Sequence, residues 1–207
     1  MSSYKVMVRE PAEPVEKLVL LLPGRGQPGS DILARYNNFA PALENCRLVS
    51  IEPIEEWYPA PNGADDQLEA CWGLKVSVPE LCEFIEELQA EYGLEKKDIA
   101  IVGFSAGAVM AIQVAIGTQE PFGAIVSYSG AVLEPDEIPP AFNDTPFLLI
   151  HNEDDDCFSW EERYVPMKEA LENQQYRVTN WTSSMGGHGM SSTTIDDSGK
   201  WIIEKLK

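Results

Sequence analysis

The stretch Ile99-Ala-Ile-Val-Gly-Phe-Ser-Ala-Gly-Ala-Val-Met-Ala-Ile-Gln-Val-Ala115 decides the fold. It opens with an unbroken apolar run, Ile99 to Val102, the pattern of a parallel strand buried on both faces. From Ala106 to Ile116 the chain is longer than most strands and rich in Ala, Met and Gln, which suits a helix. Between them lies Gly103-Phe-Ser-Ala-Gly107, a G-x-S-x-G spacing that reads as a sharp strand-to-helix turn. Such a turn forces its central residue into strained backbone and brings strand and helix close together. Side chains at the flanking positions would clash, so they shrink to hydrogen and Ser105 is left at the tip. The amides that follow open a helix N-terminus, where negative charge is favoured.

Outward from this turn the chain alternates strands with helices. Tyr4 to Arg9 reads as an edge strand, and Lys17 to Leu22 as a buried strand running into the loop Pro23-Gly-Arg-Gly-Gln-Pro-Gly29. Ser30-Asp31 offers N-caps for a helix over Ile32 to Leu43. Arg47 to Glu52 is a further strand, and Pro53 to Asp66 a long loop carrying Trp57 and Tyr58. Ser77-Val-Pro-Glu80 has the form of a capping box and predicts a helix from there to about Tyr92. Strands follow over Phe122 to Ser129, Pro146 to His151 and Tyr176 to Trp181, with helices over Ser159 to Asn173 and Thr193 to Leu206. The order predicts one α/β domain over residues 1–207, with a mainly parallel sheet covered by helices on both faces. Sites in such sheets lie outside the carboxyl ends of the strands.

Composition narrows the function. With 34 acidic against 15 basic residues the chain carries −19 charges. Such a field repels phosphate backbones and anionic lipid surfaces, so nucleic acid is excluded as a partner. No signal-peptide core and no run of about 18 apolar residues is present, so no stable membrane anchor is expected. The four cysteines have no metal spacing, which points to a reduced, cytoplasmic protein without metal or cofactor. Without a base partner in sequence, they read as small buried apolar groups.

A serine hydroxyl becomes a nucleophile only when a base takes its proton, and that base needs an orienting acid. In this fold the chain order is Ser, acid, His. Of the two histidines, His188 in Gly186-Gly-His-Gly189 satisfies that order. His151, on the strand before an acidic cluster, reads as a structural hydrogen-bonding residue. The acid belongs to Glu153-Asp-Asp-Asp156, and periodicity does not choose among the four. For the oxyanion, Ala106 supplies one amide and Arg25, in the glycine-rich loop, the other. The Arg25 guanidinium reads as solvated, with an anionic acyl chain as the alternative partner. Trp57, Tyr58 and Trp72 are candidates for lining an acyl pocket.

Together these residues resemble the phospholipase/carboxylesterase family of α/β-hydrolases, which includes acyl-protein thioesterases and small bacterial carboxylesterases. The resemblance rests on Leu22-Pro-Gly-Arg-Gly26, Gly103-Phe-Ser-Ala-Gly107, His151-Asn-Glu-Asp-Asp155 and Gly186-Gly-His-Gly189. It implies the α/β-hydrolase fold without a large cap, and a Ser105–His188–Asp155 triad cleaving a small-molecule ester or thioester. The family's His-Gly-x-x-Asp pattern is what selects Asp155. Two departures stand out: Pro23 replaces the family's histidine before the first loop glycine, and Asp156-Cys-Phe158 replaces proline and apolar residues after the acid. Two other readings stay open, a catalytically silent or weak binding protein and a hydrolase of a peptide or lactone bond. Whether the protein is a monomer or a dimer is equally open.

Overall fold

The computed structural model describes residues 4–11, 16–59 and 64–207, without the side chains of residues 64–68. Its seven strands are β1 (Tyr4–Arg9), β2 (Leu18–Leu22), β3 (Arg47–Pro53), β4 (Ile99–Phe104), β5 (Ala124–Tyr128), β6 (Pro146–Asn152) and β7 (Arg177–Ser183). The helices are α1 (Gly29–Phe39), α2 (Ala64–Tyr92), α3 (Ala106–Ile116), α4 (Val165–Asn173) and α5 (Ser192–Lys205). The strands form one sheet in the order β1-β3-β2-β4-β5-β6-β7. Every pairing is parallel except that of the edge strand β1 with β3.

Two-residue alternation sorts the apolar strand residues into two cores. Leu18, Leu20, Leu22, Ile101 and Ile125 pack on the face covered by α2, α3 and α4. Val19, Leu21, Val102, Val126 and Ile150 pack on the face covered by α1 and α5. The central strands therefore read as continuous apolar runs because both their faces are dry. The segment between β5 and β6 holds only a short turn of 3-10 helix, Pro135–Glu137, so no cap domain covers the carboxyl ends of the strands among the described residues.

Three local expectations are corrected. Ser77 does not cap a helix: α2 begins at Ala64, and Pro79 lies inside it. Cys71, Leu74, Val78, Leu81, Ile85 and Leu88 keep one helical spacing across the proline and face the core, so continuous burial outweighs the backbone hydrogen bond that Pro79 removes. The Ser77 hydroxyl donates to the Trp57 carbonyl instead. The predicted loop over Pro53 to Asp66 is accordingly shorter, and its residues 60–63 lie outside the described part. Ser30 and Asp31 sit inside the first turn of α1 rather than capping it, and the helix stops at Phe39 before Pro41. Ser159 does cap, accepting from the Glu162 amide, but the helix it opens begins with a wider π turn over Trp160–Tyr164.

Candidate active site

Ser105 occupies the turn between β4 and α3 with φ 54° and ψ −120°, a left-handed backbone that a non-glycine residue holds only under constraint. The constraint comes from both sides. The Ser105 amide donates to the Tyr128 carbonyl at 2.9 Å, while the Ser105 carbonyl already accepts from Ala108 and Val109 in the first helical turn. A Cβ on Gly103 would lie 2.3 Å from the Gly107 oxygen, and one on Gly107 would lie 2.3 Å from the Leu22 oxygen. The glycines are thus what allows α3 to sit on the ends of β4 and β2. Ser105 is also the N-cap of α3, yet its hydroxyl makes no cap bond. The hydroxyl lies 2.8 Å from Nε2 of His188.

The other ring nitrogen of His188, Nδ1, stands 3.0 Å from both oxygens of Asp155. The imidazole is flanked by Phe104, 5.1 Å away between ring centres, and Phe158, at 5.8 Å. Asp155 is 5% exposed, and its Oδ1 also accepts from the amides of Cys157, at 3.0 Å, and Phe158, at 2.8 Å. Burial pushes the Asp155 carboxyl upward, but the Phe158 amide and the His188 ring outweigh it, so it is held below its ordinary value. The structure thus brings Ser105, His188 and Asp155 into one hydrogen-bonded line and separates Asp155 from its acidic neighbours.

Those neighbours divide. Glu153 and Asp156 are exposed. Asp154 is not a free surface charge: it accepts from the amides of Gly186 at 3.1 Å and Gly187 at 2.7 Å. Asn152 adds a bond of 2.9 Å to the Gly187 carbonyl. The glycine loop is therefore pinned, with Gly186 at φ 144° and Gly187 at φ 57° supplying conformations that side chains resist. Sequence reasoning missed Asp154 and Asn152 as positioning residues because the chain leaves the extended state after Asn152, so alternation of sides no longer applies. The signal available was two consecutive glycines needing partners for their amides.

His151 fills the structural part expected of it. Its Nε2 donates to the Phe158 carbonyl at 2.8 Å, and its ring stacks on Tyr164 with centres 4.7 Å apart. Burial holds its pKa below the ordinary histidine value, so the ring stays neutral. It braces the segment whose amides hold Asp155.

The glycine-rich loop after β2 turns tightly, with the Gln27 amide bonded to the Gly24 carbonyl at 3.1 Å. Gly24 packs against the Phe104 ring. The Arg25 side chain is partly exposed, but it is already paired rather than free for an anion. It bonds the Glu56 carboxylate and the Tyr58 carbonyl and lies over the Tyr58 ring at 5.0 Å. Pro23 removes the family's histidine, but its carbonyl accepts from the Trp57 indole at 2.9 Å. The loop is thus held from the β3 side. Ala106 is the first residue of α3, where an amide has no partner within the helix.

The three aromatics do not form one wall. Trp57 is 2% exposed and borders a cleft of about 140 Å³ shared with Gly24, Arg25 and Glu52. Tyr58 is buried under Arg25, and Trp72 is 63% exposed. A polar cavity of about 130 Å³ touches His188 and is lined by Gln27, Asp31, Arg35, Phe104 and Met190. A more apolar cavity of about 390 Å³, between Leu74, Val78, Ile116, Val132 and Ile138, lies along α3. Ile116 is eleven residues beyond Ser105, which is about 16 Å at the helical rise. No helix among the described residues is long and apolar enough to cross a membrane.

The model of the phospholipase/carboxylesterase family matches residues 4–204. The chain is 28% identical over 151 residues to acyl-protein thioesterase 1 of Yarrowia lipolytica (strain CLIB 122 / E 150), a match covering 70% of this chain and 64% of that relative. The chain thus spans less than two thirds of that protein's length. Among solved structures, esterase PE8 superposes with a TM-score of 0.87 at 24% identity, covering 97% of this chain and 98% of that one. A phospholipase/carboxylesterase from Dyadobacter fermentans DSM 18053 gives 0.80 at 20% identity, covering 97% of each chain. At these identities the likeness carries the fold.

Proposed function

The chain belongs to the phospholipase/carboxylesterase family, and from that premise we propose that it is a serine hydrolase of small-molecule carboxylic esters or thioesters. The observation that carries the reading is the unbroken line from the Ser105 hydroxyl through His188 to the buried Asp155 carboxylate. In this mechanism His188 Nε2 takes the hydroxyl proton as Ser105 Oγ attacks the acyl carbon. Asp155 keeps the Nδ1–H tautomer and stabilises the ring once it is charged. The amides of Arg25 and Ala106 receive the oxyanion beside the positive end of α3. His188 then hands its proton to the departing alcohol or thiol, leaving an acyl group on Ser105. A water molecule, deprotonated by the same imidazole, releases the acid.

The polar cavity that His188 lines supports a small polar leaving group. The low pKa of Asp155 supports its role as a permanent anion across the physiological range. The reading includes one α/β-hydrolase domain over residues 1–207, working in the cytoplasm. Hydrolysis of p-nitrophenyl acetate and butyrate by wild type and Ser105→Ala tests it. The expected loss is about 10⁴- to 10⁶-fold in kcat. Equal rates in the two proteins would contradict it and favour a silent binding protein.

A further inference from the structure

Cys157 departs from the expectation for the cysteines. Cys46 and Cys71 are buried, but Cys157 is an exposed free thiol two residues past Asp155. Its Sγ, a ring nitrogen of His188 and a carboxylate oxygen of Asp155 lie within 4.8 Å of one another. We propose that these three side chains form a capture site for a thiophilic divalent cation, zinc above all, whose binding takes His188 from its partners.

The donor set favours such an ion. Thiolate, imidazole and carboxylate are the ligands zinc takes, at about 2.0–2.3 Å, with three protein ligands leaving a fourth position for water. Ligands arranged tetrahedrally at that range stand about 3.3–3.8 Å apart, so the cluster closes through shifts of about 1 Å. A sulfur ligand disfavours magnesium and calcium, which require oxygen. Cys157, at the surface, is the point of entry. Binding replaces the thiol hydrogen, and one proton leaves to solvent for each ion captured. No oxidant or reductant is involved.

The cost to catalysis follows from atom counting. Nε2 of His188 is engaged by Ser105 and Nδ1 by Asp155. Whichever nitrogen the ion takes, one of those bonds is lost, and the proposed base is either blocked or left without its acid. The inhibition rests on the hydrolase reading; the capture site does not.

The test uses the reduced full-length protein titrated with cobalt(II), which reports a sulfur ligand by a charge-transfer band in the near ultraviolet, and with zinc, which displaces it. Wild type is expected to show the band at one equivalent, and one equivalent of zinc to remove it. Cys157→Ser should abolish the band, and His188→Ala should weaken cobalt affinity at least about 10-fold, as losing even an outer-shell partner does. On p-nitrophenyl butyrate, zinc should inhibit wild type reversibly to chelator, with Cys157→Ser requiring at least about 10-fold more. A band that survives in Cys157→Ser, that is unchanged in His188→Ala, or that never forms would overturn the site. If wild type proves inactive toward esters, the hydrolase reading falls while the cobalt band still decides the capture site.

Discussion

The turn carrying Ser105 and the loop carrying Asp155 both leave the carboxyl ends of parallel strands, yet different forces hold them. The serine turn is fixed by exclusion. Gly103 and Gly107 let backbone approach backbone, and no side chain bonds are needed to set φ at 54°. The acid loop is fixed by polar partners: Cys157 and Phe158 amides on Asp155, His151 on the Phe158 carbonyl, and Asp154 on the Gly186 and Gly187 amides. Steric exclusion fails all at once when an atom is added. A hydrogen-bonded loop gives way one bond at a time. The two regions therefore should answer mutation differently, one in folding and the other in chemistry.

The sharpest separation is Asp155→Asn. It keeps the shape but donates where a carboxylate accepted, which stabilises the wrong tautomer of His188. The turnover number should fall about 10⁴-fold, while thermal unfolding moves by only a few degrees. A melting midpoint that collapses with the activity would mean that Asp155 is chiefly a structural residue.

Gly107→Ala inverts that pattern. The added methyl meets the Leu22 and Pro23 carbonyls, which are backbone and cannot swing away. Overpacking of this kind costs about 3 kcal/mol, which lowers the melting midpoint by roughly 6–12 °C in a chain of this size. Calorimetry checks it, and an unchanged midpoint would break the steric account of the turn.

The smallest effect belongs to Asp154→Ala. It leaves two exposed amides to water and loosens the loop that presents His188, at about 1 kcal/mol. Activity should drop roughly 5- to 10-fold, chiefly in kcat, with the ester KM little altered. Steady-state kinetics read it, and wild-type kcat would show that the glycine loop holds itself.

This contrast also explains what could be read beforehand. Exclusion marks its own positions, because only glycine fits where backbone meets backbone. Gly103-Phe-Ser-Ala-Gly107 therefore shows the strand, the turn, the helix and the serine together, although the Leu22 and Pro23 carbonyls that Gly107 meets lie far off in the chain. The acid loop joins residues separated by 33 positions, and its partners are amides that every residue carries. Nothing in Glu153-Asp-Asp-Asp156 ranks one carboxylate over another until the fold aims them, and only the family pattern pointed to Asp155. The same holds for the glycine-rich loop after β2. Pro23 stands where the family has a histidine, and the partners that hold this loop, Trp57 and Glu56, come from the segment after β3, which nothing local to Pro23 announces. The start of α2 is not legible in the sequence because Pro79 is a local signal, whereas the burial of Cys71 and Leu74 depends on the fold.

Covalent trapping measures the central claim most directly. Wild type treated with a fluorophosphonate should gain the mass of one phosphonyl group by intact-protein mass spectrometry. Peptide mapping should place it on Ser105, and Ser105→Ala and heat-unfolded wild type should gain none. A folded wild type that stays unlabelled, or carries the adduct on any other residue, would contradict an activated serine at the turn between β4 and α3.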